Sequence, residues 1–248
     1  MVELKGDERL DYIVADEKVR IIQSPSIFSY SLDALLLGHF ASIPIAKGNI
    51  LDLCSGNGVI PLLLSNRTKA KITGLEIQER LVDMAERSIQ LNKLEDQLQV
   101  LSGDLKVRHK EIPQSFFNTV TCNPPYFKAT DDSHQNESEY MKIARHEICC
   151  TLVDVIQACK LYVRPGGKVA IVHRPERLVD LITLSRKYAL EPKRIQFVYP
   201  KKGKESNTLL FEAIRDGKSG TKILPPLYVY EDDNTYTEEA RKIIYGEK

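Results

Sequence analysis

The sequence predicts an α/β fold built on a doubly wound, mainly parallel sheet, and three observations support this. From residue 49 onward, short apolar segments with strand character alternate with amphipathic segments of helical spacing, an order typical of βαβ units. A turn with Gly56 and Gly58 joins the first of these strands to the first helix. Polar residues stand at the predicted strand ends, namely Asp52, Glu76, Asp104 and Asn123. Since the carboxyl ends of parallel strands share one edge, we expect a ligand site there.

The N-terminal segment is predicted to form a hairpin and a helix ahead of the main domain. Residues 10–23 alternate enough for a short hairpin with its turn near Asp16. Residues 31–41 have apolar side chains at helical spacing, and Ser31 or Asp33 stands near the start of this helix. We therefore predict a short N-terminal extension, residues 1–45, and a main domain, residues 46–248.

The main domain is predicted to supply seven strands to the sheet. The strands are expected at residues 49–53, 71–76, 97–101, 117–122, 168–173, 193–199 and 206–214. Helices are expected at residues 58–65, 78–92, 151–163 and 175–188, with a short one near the C-terminus. The last two strands are close in sequence, which predicts an antiparallel strand at one edge of the sheet.

The turn after the first strand predicts a nucleoside ligand rather than a dinucleotide. Gly56 and Gly58 have no side chain, so the backbone can approach a ligand closely there. Glu76 follows Asp52 by 24 residues, which fits one βαβ step and a carboxylate placed for ribose hydroxyls. Pro61 stands where a dinucleotide-binding turn has its third glycine, which argues against a pyrophosphate-binding dehydrogenase.

The charge of Asp52 favours a cationic ligand. A carboxylate just before the turn would repel a pyrophosphate and attract a ligand with a positive centre. S-adenosylmethionine has a sulfonium and an ammonium group, so we predict it as the cofactor. For an isolated aspartate, a turn or a helix cap is the alternative interpretation.

The tetrad Asn123-Pro124-Pro125-Tyr126 follows the strand predicted at residues 117–122. The Asn123 side-chain oxygen can accept a hydrogen bond from an amine. The prolines stiffen the backbone and keep a carbonyl aimed outward as a second acceptor. Tyr126 offers a flat face on which a base or an amide can stack. The tetrad suits a planar nitrogen, and a rigid turn after a strand is the alternative.

In this order of motifs the chain resembles the class I S-adenosylmethionine-dependent methyltransferases, and its Asn-Pro-Pro-Tyr tetrad is similar to that of the amino-methylating branch. The resemblance implies a Rossmann-like fold. It also implies that the glycine turn holds the methionine part of the cofactor, that Glu76 holds the ribose and that Ile77 lies against the adenine. The implied cofactor-binding residues are Asp52, Cys54, Ser55, Gly56, Gly58, Glu76, Ile77, Asp104, Leu105 and Asn123. Cys54 stands where a glycine is more usual in the family.

Residues 23–38 and the pair at 146–147 resemble the bacterial adenine-N6 methyltransferases that modify a valine tRNA. This finer resemblance implies methyl transfer to N6 of a tRNA adenine. In that reaction the Asn123 side chain and the Pro124 carbonyl would accept the amine hydrogens, while Tyr126 stacks on the base. Substrate contacts are also expected from Pro125, and from Phe28 or Tyr30 as an opposite wall, for which core packing is the alternative.

A basic cluster late in the chain is the predicted phosphate-contacting patch. Its members are Arg186, Lys187, Lys193, Arg194, Lys201, Lys202 and Lys204. Of these, we expect Lys201, Lys202 and Lys204 to bind the substrate RNA. A solvated charged face is the alternative.

Residues 127–147 are polar and lack a clear period. A long loop directly after the tetrad is a candidate lid, and an ordinary surface loop is the alternative. His146 is expected to be structural, because methylation of an amine has little need of a strong base.

The tetrad leaves other acceptors open. A protein glutamine amide would use the same turn, but the short segment ahead of the glycine turn disfavours that substrate. Guanine N2 in ribosomal RNA, adenine in DNA, and a non-catalytic protein that binds RNA and the cofactor are further alternatives. An intact Asn123 argues against the last one, since a binding protein has no need of an amine clamp.

Composition predicts a protein of the cytoplasm that binds no membrane and no metal. The net charge is +1, so any RNA binding must depend on a local patch. The N-terminus has no signal-peptide pattern, and no apolar run is long enough for a membrane span. The five cysteines include no Cys-x-x-Cys pair, and we interpret them as reduced thiols, with Cys122 a buried strand residue. The oligomeric state stays open.

Overall fold

The computed structural model describes residues 2–13, 19–27, 29–126 and 150–246. The strands in chain order are β1 Arg9–Tyr12, β2 Arg20–Gln23, β3 Asn49–Leu53, β4 Lys71–Glu76, β5 Leu98–Ser102, β6 Phe117–Cys122, β7 Val163–His173, β8 Leu190–Tyr199, β9 Thr208–Arg215, β10 Lys222–Ile223 and β11 Leu227–Tyr228. The helices are α1 Leu32–Phe40, α2 Val59–Ser65, α3 Glu79–Leu91, α4 Leu152–Tyr162, α5 Leu178–Lys187 and α6 Glu238–Tyr245. A 3-10 turn, Pro175–Arg177, precedes α5.

A mostly parallel sheet forms the centre of the described part of the chain. Its strand order is β10-β8-β9-β7-β6-β3-β4-β5, and β11 also pairs with β8. Strands β5, β4, β3, β6 and β7 are parallel neighbours. In β3, the side chains of Ile50, Leu51 and Leu53 are all fully buried, so both faces of the sheet are covered. Such burial on both faces is what helices on either side of a parallel sheet produce. The predicted doubly wound α/β fold is therefore confirmed.

An antiparallel strand was predicted at one edge of the sheet, and the antiparallel pair of β8 and β9 lies toward that edge. The antiparallel strand itself, β9, lies between β7 and β8, because it pairs with both of them. The prediction of seven strands was too low for this sheet. The two-residue strands β10 and β11 both pair with β8 and bring the number of strands among the described residues to nine.

Most predicted boundaries agree with the structure, and the clearest difference is at the start of β7. This strand begins at Val163, directly after α4, and not at residue 168. Val163 pairs with Phe117, and Lys168 pairs with Thr119 after a shift in register. The chain therefore enters the sheet before the Pro-Gly-Gly sequence, which it accommodates at an irregularity in the pairing.

The N-terminal hairpin, formed by β1 and β2, is fastened to α3. The Arg87 guanidinium makes two hydrogen bonds of 2.7 Å to the Glu8 carboxylate, and both side chains are largely buried. The backbone N–H of Ile22 donates to the Ser88 hydroxyl at 2.9 Å. The predicted hairpin is confirmed, while its turn lies outside the described residues. The division into residues 1–45 and 46–248 stays a prediction.

The hairpin also contacts the glycine turn after β3. The side-chain amide of Asn57, in that turn, donates to the backbone carbonyl of Ile22 at 3.0 Å. Asn57 and Ile22 are both buried. The position of the glycine turn therefore depends on the N-terminal hairpin as well as on β3. Among the described residues, no helix has the length and apolar character needed to cross a membrane.

Candidate active site

A cavity of about 440 Å³ opens at the carboxyl ends of the parallel strands. It reaches from the glycine turn after β3 to the Asn-Pro-Pro-Tyr tetrad after β6. Sequence-predicted residues that line it are Tyr30, Cys54, Ser55, Gly56, Glu76, Ile77, Asp104, Leu105, Asn123, Pro124, Pro125 and Tyr126. The expected edge of the sheet thus brings together most of the residues that the sequence singled out.

Other predicted residues lie outside the lining of this cavity. Asp52 is fully buried within β3, beneath the turn. Gly58 has a φ of +82°, and a Cβ there would lie 3.1 Å from the Cβ of Ala85 in α3. The glycine at 58 therefore serves the turn and the packing of α3 rather than the approach of a ligand. Phe28 lies outside the described residues, as do the candidate lid at 127–147 and His146.

Gly56 has the open position that the sequence predicted for both glycines. Its φ is +56°, and a Cβ built there meets no atom within 4 Å. Since Gly56 lines the cavity, a side chain at this position would project into space available to a ligand. The left-handed conformation adds a second reason for glycine.

Cys54 is in the left-handed region too, with a φ of +56°. This conformation favours glycine, which explains why a glycine is more usual at that place. The neighbouring Cys122 thiol and burial raise the pKa of Cys54 well above its usual value. Burial raises the pKa of Cys122 to about 12, in agreement with its interpretation as a buried strand residue. Neither thiol is poised as a nucleophile near neutral pH.

Glu76 holds the glycine turn in place from the end of β4. One carboxylate oxygen accepts from the backbone N–H of Gly56 at 2.8 Å, and the other accepts from that of Gln78 at 2.9 Å. Burial raises the pKa of Glu76, and the hydrogen bonds from Gln78 and Gly56 oppose that rise. Each oxygen retains acceptor capacity, which suits a ribose hydroxyl.

Asp52 is a second buried carboxylate near the cavity. One of its oxygens accepts from the Thr121 hydroxyl at 2.6 Å. The other oxygen has no hydrogen-bond partner in the described part of the chain, and the same is true of the Ser55 hydroxyl oxygen and of the Gln78 side-chain oxygen. Burial raises the pKa of Asp52 to about 7, and the Thr121 hydroxyl opposes that rise. Ser55 and Gln78 line the cavity while Asp52 lies beneath its glycine turn, and together they favour a ligand that brings donors or positive charge.

Asn123 and Tyr126 contact each other where the tetrad after β6 lines the cavity. The Tyr126 hydroxyl donates a hydrogen bond to the Asn123 side-chain oxygen. The ring of Tyr126 lies 5.2 Å from the ring of His173 at a tilt of 52°. Burial lowers the pKa of His173 to about 3, so its ring is neutral. The Tyr126 hydroxyl therefore occupies the Asn123 oxygen, which the sequence analysis predicted as the acceptor for a substrate amine.

Arg174 and Asp33 also line the cavity. The sequence analysis did not name either as a site residue, and it placed Asp33 only near the start of a helix. The guanidinium carbon of Arg174 lies 5.0 Å from the centre of the Tyr126 ring. Asp33, on α1, accepts from the Thr208 hydroxyl at 3.1 Å. Arg174 directly follows a predicted strand, so the rule of strand ends could have found it. For Asp33 the sequence carries no such signal, because it lies on a helix outside the repeating units.

The basic cluster predicted from sequence divides in the structure. Lys201, Lys202 and Lys204 lie in the loop between β8 and β9, at the same edge of the sheet as the cavity. The remaining members lie elsewhere. Arg186 pairs with Glu191 at 3.3 Å, and Arg194 pairs with the buried Glu212 at 3.2 Å.

Two further basic residues lie near the opposite ends of the strands. Lys187 ends α5, just ahead of the start of β8, and its amine lies 5.7 Å from the centre of the Tyr188 ring. The Lys193 amine donates to the backbone carbonyl of Gly220 at 3.0 Å. The seven basic residues therefore do not share one edge of the sheet, and the three lysines of the β8–β9 loop are the members near the cavity. Their contact with phosphates stays a prediction. Within the described ranges, no group of three or more His, Cys, Asp or Glu side chains could hold a metal ion.

Comparisons with known proteins agree with this architecture. The family described as methyltransferase small domain matches residues 18–178. A tRNA1(Val) (adenine(37)-N6)-methyltransferase of Shewanella sediminis is 24% identical over 224 residues, which cover 87% of this chain and 90% of that protein. The enzyme of the same name from Flavobacterium psychrophilum is 25% identical over 225 residues, covering 90% and 94%. The one from Porphyromonas gingivalis is 29% identical over 187 residues, covering 73% and 72%.

Solved structures share the fold at low sequence identity. A predicted O-methyltransferase of Agrobacterium tumefaciens, protein Atu636, superimposes with a TM-score of 0.68 at 22% identity, covering 86% of this chain and 96% of that one. A geranyl diphosphate C-methyltransferase of Streptomyces coelicolor, solved with S-adenosyl-L-homocysteine, gives a TM-score of 0.56 at 10% identity, covering 73% and 79%. Both likenesses concern the fold.

Proposed function

Because this chain belongs to the methyltransferase small domain family, we propose that it transfers the methyl group of S-adenosylmethionine to N6 of an adenine in tRNA. Family and fold together identify it as an S-adenosylmethionine-dependent methyltransferase. The observation that carries the finer proposal is the single cavity that joins the glycine turn to Asn123 and Tyr126. One end fits the cofactor, and the other presents the acceptors that an amine requires.

The cofactor end supplies different groups for each part of S-adenosylmethionine. The carboxylate of Glu76 would accept hydrogen bonds from the ribose hydroxyls. The unsatisfied hydroxyl of Ser55 would face the positive methionine part, with the carboxyl group of Asp52 buried beneath it. The Ile77 side chain, which is 41% exposed, gives an apolar face for the adenine ring, and Asp104 and Leu105 would meet its edge.

The acceptor end would align the amine with the methyl group. When bound, S-adenosylmethionine supplies a methyl group on a sulfonium, which is a good leaving group. The Asn123 side-chain oxygen and the Pro124 carbonyl accept the two amine hydrogens, which favours a localised nitrogen lone pair. The main contributions to the rate of methyl transfer are therefore the alignment of the amine with the methyl group and electrostatic stabilisation. The amine would replace the Tyr126 hydroxyl as the donor to Asn123, leaving the ring of Tyr126 to stack on the base.

Three observations support adenine in tRNA over the alternatives. The relatives that cover most of this chain carry the name of tRNA adenine-N6 methyltransferases. Lys201, Lys202 and Lys204 lie at the edge where a structured RNA would approach the cavity. Tyr126 offers a face for an extruded base. Transfer RNA is modified in the cytoplasm, which is the proposed location of this protein.

Mass spectrometry of nucleosides tests the proposal. We expect tRNA from cells that lack this protein to lose N6-methyladenosine, and a plasmid copy of the wild type to restore it. The Asn123→Ala variant, expressed at the same level, should fail to restore it. Unchanged N6-methyladenosine together with a loss of N2-methylguanosine or of a methylated glutamine would reject the proposed acceptor and select one of the alternatives.

A further inference from the structure

Arg174 connects two elements that the proposed function uses separately. It follows β7 directly, and its side chain lines the cavity beside the tetrad. Its guanidinium lies over the Tyr126 ring, with 5.0 Å between the guanidinium carbon and the ring centre. The same guanidinium donates from Nη1 to the backbone carbonyl of Asn207 at 2.7 Å. Asn207 is at the end of the β8–β9 loop, which carries the lysines near the cavity.

The loop is firmly held where Arg174 contacts it. The backbone N–H of Asn207 donates to the Val198 carbonyl at 3.2 Å. The Ser206 hydroxyl donates to the same carbonyl at 2.8 Å. Arg174 therefore binds the rigid base of the loop, and not its exposed end with Lys202 and Lys204.

Besides the Arg174 contact, the Tyr126 ring packs against the apolar core and its hydroxyl donates to Asn123. His173 approaches it at a tilt of 52°, which fixes the ring less well than stacking would. An arginine can lie over an aromatic ring while its N–H groups donate in the plane of the guanidinium. A lysine amine could make one of these two contacts at a time. The geometry thus uses properties that only arginine has.

We infer that Arg174 is a positioning residue, which fixes the Tyr126 ring relative to the lysine-bearing β8–β9 loop. Phosphates bound by the loop and the base stacked on Tyr126 belong to the same RNA. The distance between these contacts decides whether the target amine meets Asn123. This inference rests on the proposed function, because it needs an RNA that reaches both places.

The first test compares Arg174→Met and Arg174→Lys with the matched control Lys187→Met. Lys187 also places a cation beside a tyrosine ring, but near the opposite ends of the strands. We expect Arg174→Met to lower kcat about tenfold or more, with cofactor affinity within about twofold of wild type. Arg174→Lys should recover part of kcat, and Lys187→Met should match wild type. Full kcat in Arg174→Met would overturn the inference, as would an equal loss in Lys187→Met.

A double-mutant cycle tests the connection to the loop. The variant with Lys201, Lys202 and Lys204 all changed to Gln is combined with Arg174→Met. If Arg174 joins the loop to Tyr126, the combined loss in kcat/KM should be smaller than the product of the separate losses. Independent, multiplying effects would contradict the connection.

A readout without RNA separates this inference from the proposed function. With 3-fluorotyrosine incorporated, the fluorine signal of Tyr126 is assigned through Tyr126→Phe. Arg174→Met should shift that signal in the cofactor-bound protein, and Lys187→Met should leave it unchanged. A wild type that methylates no RNA would reject the proposed function, while an unmoved Tyr126 signal would reject the role of Arg174.

Discussion

Asn123 is the residue whose loss should separate chemistry from cofactor binding. Its side-chain oxygen lies at the tetrad after β6, two strands away in the sheet from Glu76 at the end of β4. We expect Asn123→Ala to reduce kcat about a hundredfold or more, since one acceptor of the amine hydrogens is removed. Cofactor affinity, measured by calorimetry, should change less than about twofold. A parallel fall in both would reject the assigned role.

Tyr126→Phe is the control for that prediction. This change removes the hydroxyl that donates to Asn123 but keeps the stacking face. We expect activity near that of wild type. The Tyr126 hydroxyl bonds to Asn123 only before substrate binds, and the substrate amine then takes its place. If Tyr126→Phe were as inactive as Asn123→Ala, the phenol itself would be needed for the reaction.

Asp52 should make the stability of the protein depend on pH. Burial raises its pKa from 3.8 to about 7, so the folded chain keeps a proton that the unfolded chain has lost between these values. The contribution of Asp52 to stability therefore falls as the pH rises from about 4 to about 7. Asp52→Asn removes this titration. Urea denaturation at about pH 4 and about pH 7 measures the free energy of unfolding. Between these pH values it should fall less for Asp52→Asn than for wild type, and an equal fall would contradict the raised pKa.

The same carboxylate should control binding of the cationic cofactor. A positive ligand favours the ionised form of Asp52, so wild-type affinity should decline as the pH falls below about 7. Asp52→Asn should bind about tenfold more weakly at pH 8, with little pH dependence. Calorimetry across the range measures both. Full affinity in the variant would remove Asp52 from the cofactor site.

The residues that were predictable from sequence stand at the ends of strands. Glu76 and Asn123 follow apolar segments, and a parallel sheet brings such ends together whatever the details of packing. The contact between Tyr126 and Arg174 was not predictable, because it depends on how two distant side chains pack. The sequence indicated the left-handed conformation of Cys54 only indirectly, because a glycine is more usual at this position.

The hairpin of β1 and β2 is the element whose attachment should affect the cofactor site. Arg87→Met leaves the buried Glu8 carboxylate without its bidentate partner. We expect a loss of about 3 kcal/mol in the free energy of unfolding. Since Asn57 in the glycine turn bonds to the hairpin, cofactor affinity should fall as well. Chemical denaturation and calorimetry measure the two effects.

An exposed ion pair on α6 provides the control for Arg87. Lys242 and Glu238 lie 2.8 Å apart, but the Glu238 side chain is 84% exposed. Lys242→Met should leave the free energy of unfolding nearly unchanged, because an ion pair in water gains little. A similar cost in both variants would show that the hairpin is not specifically fastened through Arg87.

The helices and strands were predictable from the periodicity of the sequence. The order of the strands in the sheet was predictable only in part. Strands β3, β4 and β6 have the predicted bounds because each is a short apolar run between polar turns. The hairpin of β8 and β9 was predictable from the short loop between them. The insertion of β9 beside β7 was not, since it is decided by pairing between distant segments.

At the scale of the whole molecule, the three lysines of the β8–β9 loop place positive charge at the edge of the sheet where the cavity opens. Changing Lys201, Lys202 and Lys204 to Glu should weaken RNA binding and reduce its dependence on salt, by about 0.7 to 0.9 in the log–log slope for each phosphate that the variant fails to neutralise. The matched control changes Arg186, Lys187 and Lys193 to Glu, away from the cavity. Filter binding at several salt concentrations should show a smaller slope only for the first variant. Equal slopes in both would remove the β8–β9 loop from the RNA interface.

The overall charge of +1 gave no hint of this arrangement. The sequence showed one run of basic residues, because positions close in the chain look like one patch. The sheet separates them: α5 carries Lys187 to one end of the strands, and β8 returns the chain to the other end before Lys201. Only the direction of β8 reveals which lysines stand near the cavity.

The continuous cavity of about 440 Å³ has a consequence for inhibitor chemistry. A pocket of this size is in the range that accommodates a drug-sized compound. An adenosine joined by a short linker to an aniline would occupy both ends in one molecule, with the aniline nitrogen taking the place of the tyrosine hydroxyl on Asn123. A linked compound loses translational and rotational entropy only once on binding, whereas two separate fragments lose it twice. Such bisubstrate compounds should therefore bind more tightly than either fragment.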